Sequence, residues 1–509
     1  MNNQRKKGAL LSYVYMGLSS LISIVYTPLM LRLMGQSEYG LYTLVASVIG
    51  YLSVLDLGFG NAIIRYTARY RAKNDKEGEY RLNGMFLVLY TIIGVAAFIL
   101  GMLLSAKSES IFGKALTLQE LVKAKLLMQI LTFNIAISFP LGIFSSIITA
   151  YERFVVPKVL NIIRAILQPC IMIPLLLMGY KSVAMAIVSV SLSMCILIFN
   201  TIYCFKSLHI RITLGKLDTK LLNEIIRFSF YIFLNIIVDK IYLSTDKFIL
   251  GIESGTAAVA VYSIAMQLYD YYISFSTAIN GVFLPKISIM VAEDASDMEI
   301  SDLFIAIGRI QLMVIALILC GFIGIGRDFI QLWAGPQYSQ AYFIGLILMV
   351  PGIVPLIQNT GIYILQARNT HRFRSIIYVL IAIANIAISI PLAKSYGGIG
   401  AAFGTAIATI AGQIITMNWY YYKRANIDIP RFWREAAAFL PSMAAAVGTC
   451  LVLNIIWNTV SYTVLAIKAM LCTAVYFASA WVFSMNSYEK QLIERPVIRI
   501  ARRLGRLRG

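Results

Sequence analysis

Residues 225–251 read IIRFSFYIFLNIIVDKIYLSTDKFILG, and the reading of this stretch decides the fold. As a helix rising 1.5 Å per residue it would be about 40 Å long, enough to cross the roughly 30 Å hydrocarbon core of a bilayer. Yet two acid–base pairs, Asp239-Lys240 and Asp246-Lys247, stand seven residues apart inside it. The rest of the chain decides between a charged soluble helix and a membrane span with polar cargo. Of 509 residues, 59% are hydrophobic and 13% charged, and the mean hydropathy is +0.77. Soluble domains carry about 25% charged residues, too many for this chain to match. Its apolar residues fall in runs of about 20 or more, the length of a spanning helix. Barrel strands would be shorter and would alternate. The fold class is therefore an all-α polytopic membrane protein.

Fourteen spans are expected: 9–33, 39–64, 82–104, 126–148, 159–178, 183–203, 223–250, 257–284, 303–325, 340–364, 375–393, 399–422, 435–456 and 462–485. The first has a basic start, but its apolar part is too long for a signal peptide and no cleavage pattern follows. Connections are short throughout. Alternate connections, beginning with residues 1–8 and ending with 486–509, hold 30 of the 44 basic residues, and the opposite set holds 8. Basic loops stay inside, so both termini are expected to be cytoplasmic. The tail RPVIRIARRLGRLRG, residues 495–509, is expected to lie on the anionic inner leaflet. The net charge of +20 then needs no nucleic-acid partner. Six scattered cysteines show no metal-ligand spacing, and His209 and His371 fall in predicted loops, which argues against a histidine-based active site.

A shift of 217 residues brings PLLLMGYKSVAMAI, from Pro174, onto PLAKSYGGIGAAFG, from Pro391, and Ala150 onto Ala367. A shift of 216 puts Gly35 on Gly251. The separation is six helices, an even number, so the copies have the same orientation and form a parallel repeat. The expected layout is a six-helix bundle in 1–206, a second in 207–425, an extra helix pair in 426–485 and a basic tail in 486–509.

Ionisable residues inside spans cost about 2.5–3.5 kcal/mol each on insertion scales, so they face a cavity or a partner. Residues seven apart share a helix face, which aligns Asp239 with Asp246 and Lys240 with Lys247. Asp239-Lys240 lies too deep to reach the interface and is expected to face a polar cavity. Lys247 either extends to the outer surface or joins that cavity. Asp56, in LSVLDLGFGNAIIRY, is about 13 Å from the inner boundary at Arg65. Beside Gly58 and Gly60 it either caps a kink or serves as a gating or ion-coupling carboxylate. Arg164, Arg32 and Arg309 add cations, and Asp270 sits among Tyr269, Tyr271 and Tyr272, a cluster that either packs or forms an interfacial belt or lines a cavity, in which case Tyr269 and Tyr272 are candidates for sugar contact. Lys468 lies outside the repeat and receives no role. The expected substrate-binding set is thus Lys240, Arg164, Arg32, Lys247 and Arg309, and the expected coupling set Asp239, Asp56, Asp246 and Asp270. A cationic cavity suits an anionic substrate, because Arg grips phosphate bidentately and Lys supplies a point charge.

MGQSEYGLYTLVASVIGYLSVLDLGFGNAIIRY, from Met34, resembles the first outer turn and second helix of Wzx-type polysaccharide-unit flippases, in the superfamily that also holds MATE exporters and MurJ. DKFILGIESGTAAVAVYSIAMQ, from Asp246, is similar to their helix 7–8 junction. The resemblance implies two six-helix bundles in a V with alternating access. It also implies an undecaprenyl-diphosphate-linked oligosaccharide as substrate, moved to the outer leaflet of a bacterial plasma membrane for O-antigen, capsule or exopolysaccharide synthesis. Membrane lipids, a polysaccharide polymerase and glycosyltransferases are the implied partners. No cofactor is implied, and H+ or Na+ are the candidate coupling ions. A lipid II flippase and a MATE-type cation exporter are the alternatives; the first helix and its basic start hold arginines only at Arg5 and Arg32, a departure from MurJ that counts against lipid II, and a cationic cavity counts against a cation exporter. A membrane polysaccharide polymerase would need a larger outward domain than the 105–125 loop.

Overall fold

The computed structural model describes residues 2–215, 218–368, 370, 372–492 and 494, and no strand occurs among them. The tail 495–509 and His371 lie outside the described residues. In chain order the helices are α1 (Asn2–Met34), α2 (Gln36–Gly50), α3 (Phe59–Ala72), α4 (Lys76–Ala106), α5 (Ser108–Phe112) and α6 (Leu118–Ala150). Next come α7 (Val155–Leu177), α8 (Ser182–Lys206), α9 (Thr219–Glu253), α10 (Gly255–Ala292), α11 (Asp297–Trp333) and α12 (Gln340–Ile357). The last are α13 (Thr360–Ala367), α14 (Arg372–Ala408), α15 (Met417–Lys423), α16 (Ile429–Ala437), α17 (Leu440–Ile456) and α18 (Tyr462–Ser479).

Local chemistry sets many of the ends. The Asp75 carboxylate accepts from the Gly78 N–H at 2.8 Å to open α4, and Asp218 does the same for α9 from Lys220 and Leu221, both at 3.0 Å. Thr117 with Glu120 and Ser296 with Glu299 form reciprocal capping boxes that open α6 and α11. Gly35 turns the chain between α1 and α2 at φ 88°, where a side chain would be strained.

By length and apolar content, twelve helical segments among the described residues can cross a membrane, or thirteen with the bent pair Gly255–Gly281 and Lys286–Ala292. This is a multi-span membrane protein. The count differs from the expected fourteen because Phe373–Lys423 enters as one segment of 51 residues. That segment folds back on itself. Gly397 has φ 59° and ψ −137°, and the Ser389 Oγ reaches the Ala401 carbonyl oxygen at 3.4 Å. Twelve residues of straight helix would separate those two by about 18 Å.

The chain divides into two compact units, residues 1–263 with 378–404, and residues 264–377 with 405–509. These limits differ from the bundle boundaries expected at 206/207 and 425/426, because α9 packs on α2, α3 and α5 and the start of α10 packs on α2. In the first unit a core of Phe59, Tyr66, Phe86, Tyr90, Phe139 and Phe144 joins α3, α4 and α6. In the second, α11 is the axis: 61% of its most apolar window is buried, against 22% for the windows of α17 and α18. Large apolar side chains left exposed on α1, α4, α17 and α18, such as Val25, Ile99, Ile455 and Met470, suit a hydrocarbon surrounding.

Candidate functional site

The second span is not one continuous helix. After Gly50 the chain tightens into a 3-10 turn over Tyr51–Asp56, then passes through Leu57 at φ 52° and Gly58 at φ 75° before α3 begins. A left-handed Leu is unfavourable by about 1–2 kcal/mol, so the surroundings must hold the break. Two contacts do so. The Tyr90 hydroxyl on α4 donates to the Asp56 carboxylate at 2.6 Å. On the other side α9 closes in, and a Cβ added at Gly58 would lie 3.0 Å from Ile232 and 3.1 Å from the Ser229 carbonyl oxygen. Asp56 therefore braces the break through a side chain on a neighbouring helix.

Lys240 approaches the same place from α9. Its Nζ lies 3.9 Å from where a Cβ at Gly50 would be, just ahead of the break. No carboxylate among the described residues pairs with it. About one and a half turns further along α9, Thr245 meets the Tyr51 hydroxyl at 2.6 Å, and the buried Asp246 accepts from Tyr262 on α10. Between these contacts lies an apolar cavity of about 480 Å³ lined by residues including Val48, Leu104, Phe248, Ile252 and Ile386. Asp239 lies on α9, but its side chain is outside the described residues. Arg164, on α7, is half-buried, within electrostatic range of Tyr42, whose hydroxyl bonds Ser189 on α8. Arg164 too has no carboxylate partner among the described residues.

The ends of these helices on the Gly35 side are clasped by a network that the sequence did not reveal. Glu120 accepts from Ser37 on α2 at 2.5 Å and from Thr256 on α10 at 2.7 Å, and Ser37 and Thr256 meet at 3.1 Å. Beside it, Glu38 holds Lys123 of α6 and the Ser182 hydroxyl of α8. Helices α2 and α10 approach so closely that a Cβ at Gly40 would lie 1.9 Å from the Thr256 carbonyl oxygen. The available signal was Gly40 in the motif MGQSEYGLY, together with Thr117 and Glu120 at capping-box spacing.

The other expected residues are placed differently. Arg32 is exposed at the end of α1, and Lys247 is half-buried on α9. In the second unit, Asp270 is exposed on α10 and Tyr269 packs against Gly352 of α12. Tyr272 is 1% exposed, its ring 6.3 Å from that of Tyr269. So enclosed, Tyr272 packs against its neighbours in this structure and presents no surface to a sugar. Arg309 is likewise enclosed. It is 3% exposed, and its guanidinium donates to Glu489 at 2.7 and 2.9 Å, to Glu435 at 3.0 Å, and to the carbonyls of Glu435 and Ser484 at 2.6 and 2.7 Å. Its charge is spent holding α11 to the ends of α16 and of the C-terminal helix pair. Lys468, which the sequence left without a role, is 2% exposed and bonds Asn454 at 2.8 Å and Asp328 at 3.4 Å.

Comparison with known proteins agrees with this geometry. A putative O-antigen transporter of Shigella flexneri is 21% identical over 415 residues, which cover 80% of this chain and 95% of the relative. Among solved structures, the lipid II flippase MurJ in an inward closed conformation superposes with a TM-score of 0.69 at 16% identity, covering 96% of this chain and 99% of that one. An inward-facing multidrug resistance transporter of the MATE family superposes with a TM-score of 0.65 at 14% identity, covering 82% and 96%. These two likenesses carry the fold. The sequence model of one family, described as polysaccharide biosynthesis protein, matches residues 6–291, more than half of the chain. This chain, with its broken second span, belongs to the polysaccharide biosynthesis protein family.

Proposed function

We propose that the chain is a flippase that moves lipid-linked oligosaccharide units from the inner to the outer leaflet of a bacterial plasma membrane, for the assembly of surface polysaccharide. The observation that carries this reading is the pair Lys240 and Arg164. Both are cations within spanning helices, and neither has a carboxylate partner among the described residues. An intramembrane charge without a counter-ion is costly unless a ligand supplies one. A diphosphate linking lipid to sugar would do so, while a cationic drug would be repelled. The family and the Shigella relative support the same substrate class. An undecaprenyl chain is the proposed lipid, both termini are proposed to be cytoplasmic, and access alternates between the two sides of the membrane. Asp56, at the break, is the proposed coupling carboxylate for H+ or Na+. Glycosyltransferases would supply the substrate and a polymerase would consume it.

The test is surface polysaccharide export in cells that depend on this chain. Lys240→Ala and Arg164→Ala should each abolish export while the protein remains in the membrane, and lipid-linked units should accumulate on the inner leaflet. Normal export by both variants would overturn the reading.

A further inference from the structure

At the opposite end of the first unit from the clasp on the Gly35 side, the connector from α8 to α9 does not hang free. Residues 207–215 run back across the end of α4. The Ile210 N–H donates to the Cys204 carbonyl at 3.3 Å and the Thr213 N–H to the Tyr80 carbonyl at 3.1 Å. Thr213 lies so close that a Cβ added at Gly84 would come within 2.1 Å of its carbonyl oxygen. Ile210 is 3% exposed and fixes the strap to the core.

Beneath this strap is a cavity of about 860 Å³, with the connector on one side and the α3–α4 turn and Tyr151 on the other. Ligand sites commonly have 300–1,000 Å³. The cations on its wall are Arg71, Lys76 and Arg211, with the His209 imidazole beside them. Its two acids, fewer than its cations, each have a structural bond. Asp75 caps α4 through Gly78, and Glu79, only 4% exposed, accepts from the Tyr151 hydroxyl at 2.6 Å. The Arg71 guanidinium is stacked 3.8 Å over the Tyr151 ring and donates to the Ala150 carbonyl at 2.9 Å, so it is held in place with donors to spare. Lys76 and Arg211 have no hydrogen-bond or ion-pair partner among the described residues. The wall thus holds one fixed guanidinium and two cations without such a partner among the described residues, against two carboxylates that each already accept one hydrogen bond.

The geometry points to a binding site for a phosphate-bearing anion, whose occupancy pins the 207–215 connector to the first unit. The ligand takes one side of its coordination from Arg71 and Lys76 and the other from Arg211, so it bridges the strap and the bundle. Because the strap leads directly into α9, which carries Lys240, a bound anion would tie the position of that helix to the supply of phosphorylated compounds on this basic side. The anion can come from a soluble diphosphate or from the phosphomonoester of a lipid headgroup. The site stands apart from the substrate reading above and does not depend on it.

The full-length chain in phosphatidylcholine nanodiscs would be dialysed against radiolabelled inorganic pyrophosphate. In a second arm, nanodiscs containing phosphatidic acid would be compared with those lacking it by counting bound lipid in native mass spectra. Saturable binding of one anion per chain is expected in at least one arm, with slowed amide hydrogen exchange over residues 208–213. The arm that responds identifies the source. The double variant Lys76→Gln/Arg211→Gln removes only exposed, unpaired groups and should weaken binding about tenfold or more. The double variant Lys423→Gln/Arg424→Gln, on a different basic loop, should leave it unchanged. No saturable binding in either arm, full binding by the Lys76/Arg211 variant, or equal loss in both double variants would overturn the proposal.

Discussion

Replacing Gly40 by alanine adds one methyl group to α2 where it touches α10. The new Cβ would lie 1.9 Å from the Thr256 carbonyl oxygen. Carbon and oxygen rest at about 3.3–3.6 Å, so the helices must part locally by about 1.4 Å. The neighbouring Ser37···Thr256 bond, 3.1 Å in the structure, would then stretch to about 4.5 Å, beyond hydrogen-bond range. Overpacking of this kind costs about 1–3 kcal/mol. If the clasped arrangement is one of two alternating states, its population relative to the other falls about 5–150-fold. Ser47 lies seven residues on along the same face and is buried. A cysteine there, in a chain whose exposed Cys170 and Cys195 are serines, reports on the seam through its reaction with a membrane-impermeant maleimide. Labelling should quicken at least about fivefold with Gly40→Ala. Gly17→Ala, where an added Cβ meets nothing within 4 Å, should leave it unchanged. Equal labelling of the Gly40→Ala and parent proteins, at equal membrane abundance, would refute the reasoning.

Three other perturbations separate structural from transport roles. Arg309→Ala leaves Glu489, 2% exposed, as a buried unpaired charge; a loss of about 3–5 kcal/mol should appear as a lower unfolding temperature and reduced abundance, and normal stability with lost transport would contradict this. Asp56→Asn keeps an acceptor for Tyr90 but removes the charge, and should abolish the H+ or Na+ dependence of transport. Tyr90→Phe should cost about 1 kcal/mol of stability with that dependence intact, and an Asp56→Asn protein that retains the dependence would make Asp56 purely structural. Lys468→Met should destabilise by about 1–3 kcal/mol by stranding Asn454 and Asp328, and Lys468→Met/Asp328→Leu should regain most of it, both read from thermal unfolding in detergent.

What could be read from the sequence followed the range of the forces involved. Runs of apolar residues placed the spans well, because burial in hydrocarbon is a local property of each segment. The break at Leu57–Gly58 was visible in LDLGFG, where glycine permits what other residues resist. Partners distant in the chain were not visible. Arg309 was expected to bind substrate because its neutralising Glu489 lies 180 residues away, in a segment that sequence reading treats as tail. Lys468 received no role because Asp328 is 140 residues distant. Tyr272 was misplaced for a related reason: periodicity says which residues share a face, but not which helix covers that face. The two acid–base pairs of α9 also came apart, with Lys240 facing the break and Asp246 committed to Tyr262.

The break in the second span has a mechanical consequence. A continuous helix is a stiff rod, and any tilt of its outer end swings its inner end the opposite way. Here α2 ends at Gly50 and α3, beginning at Phe59, is set among Phe86, Tyr90 and Phe144. With access alternating as proposed, the intervening turn would serve as an elbow: the arm that meets α10 would swing while the arm seated on α4 and α6 stays, so that opening one side of the membrane would not pry at the other. Lys240 sits at that elbow, where a charge would travel least as the arm moves.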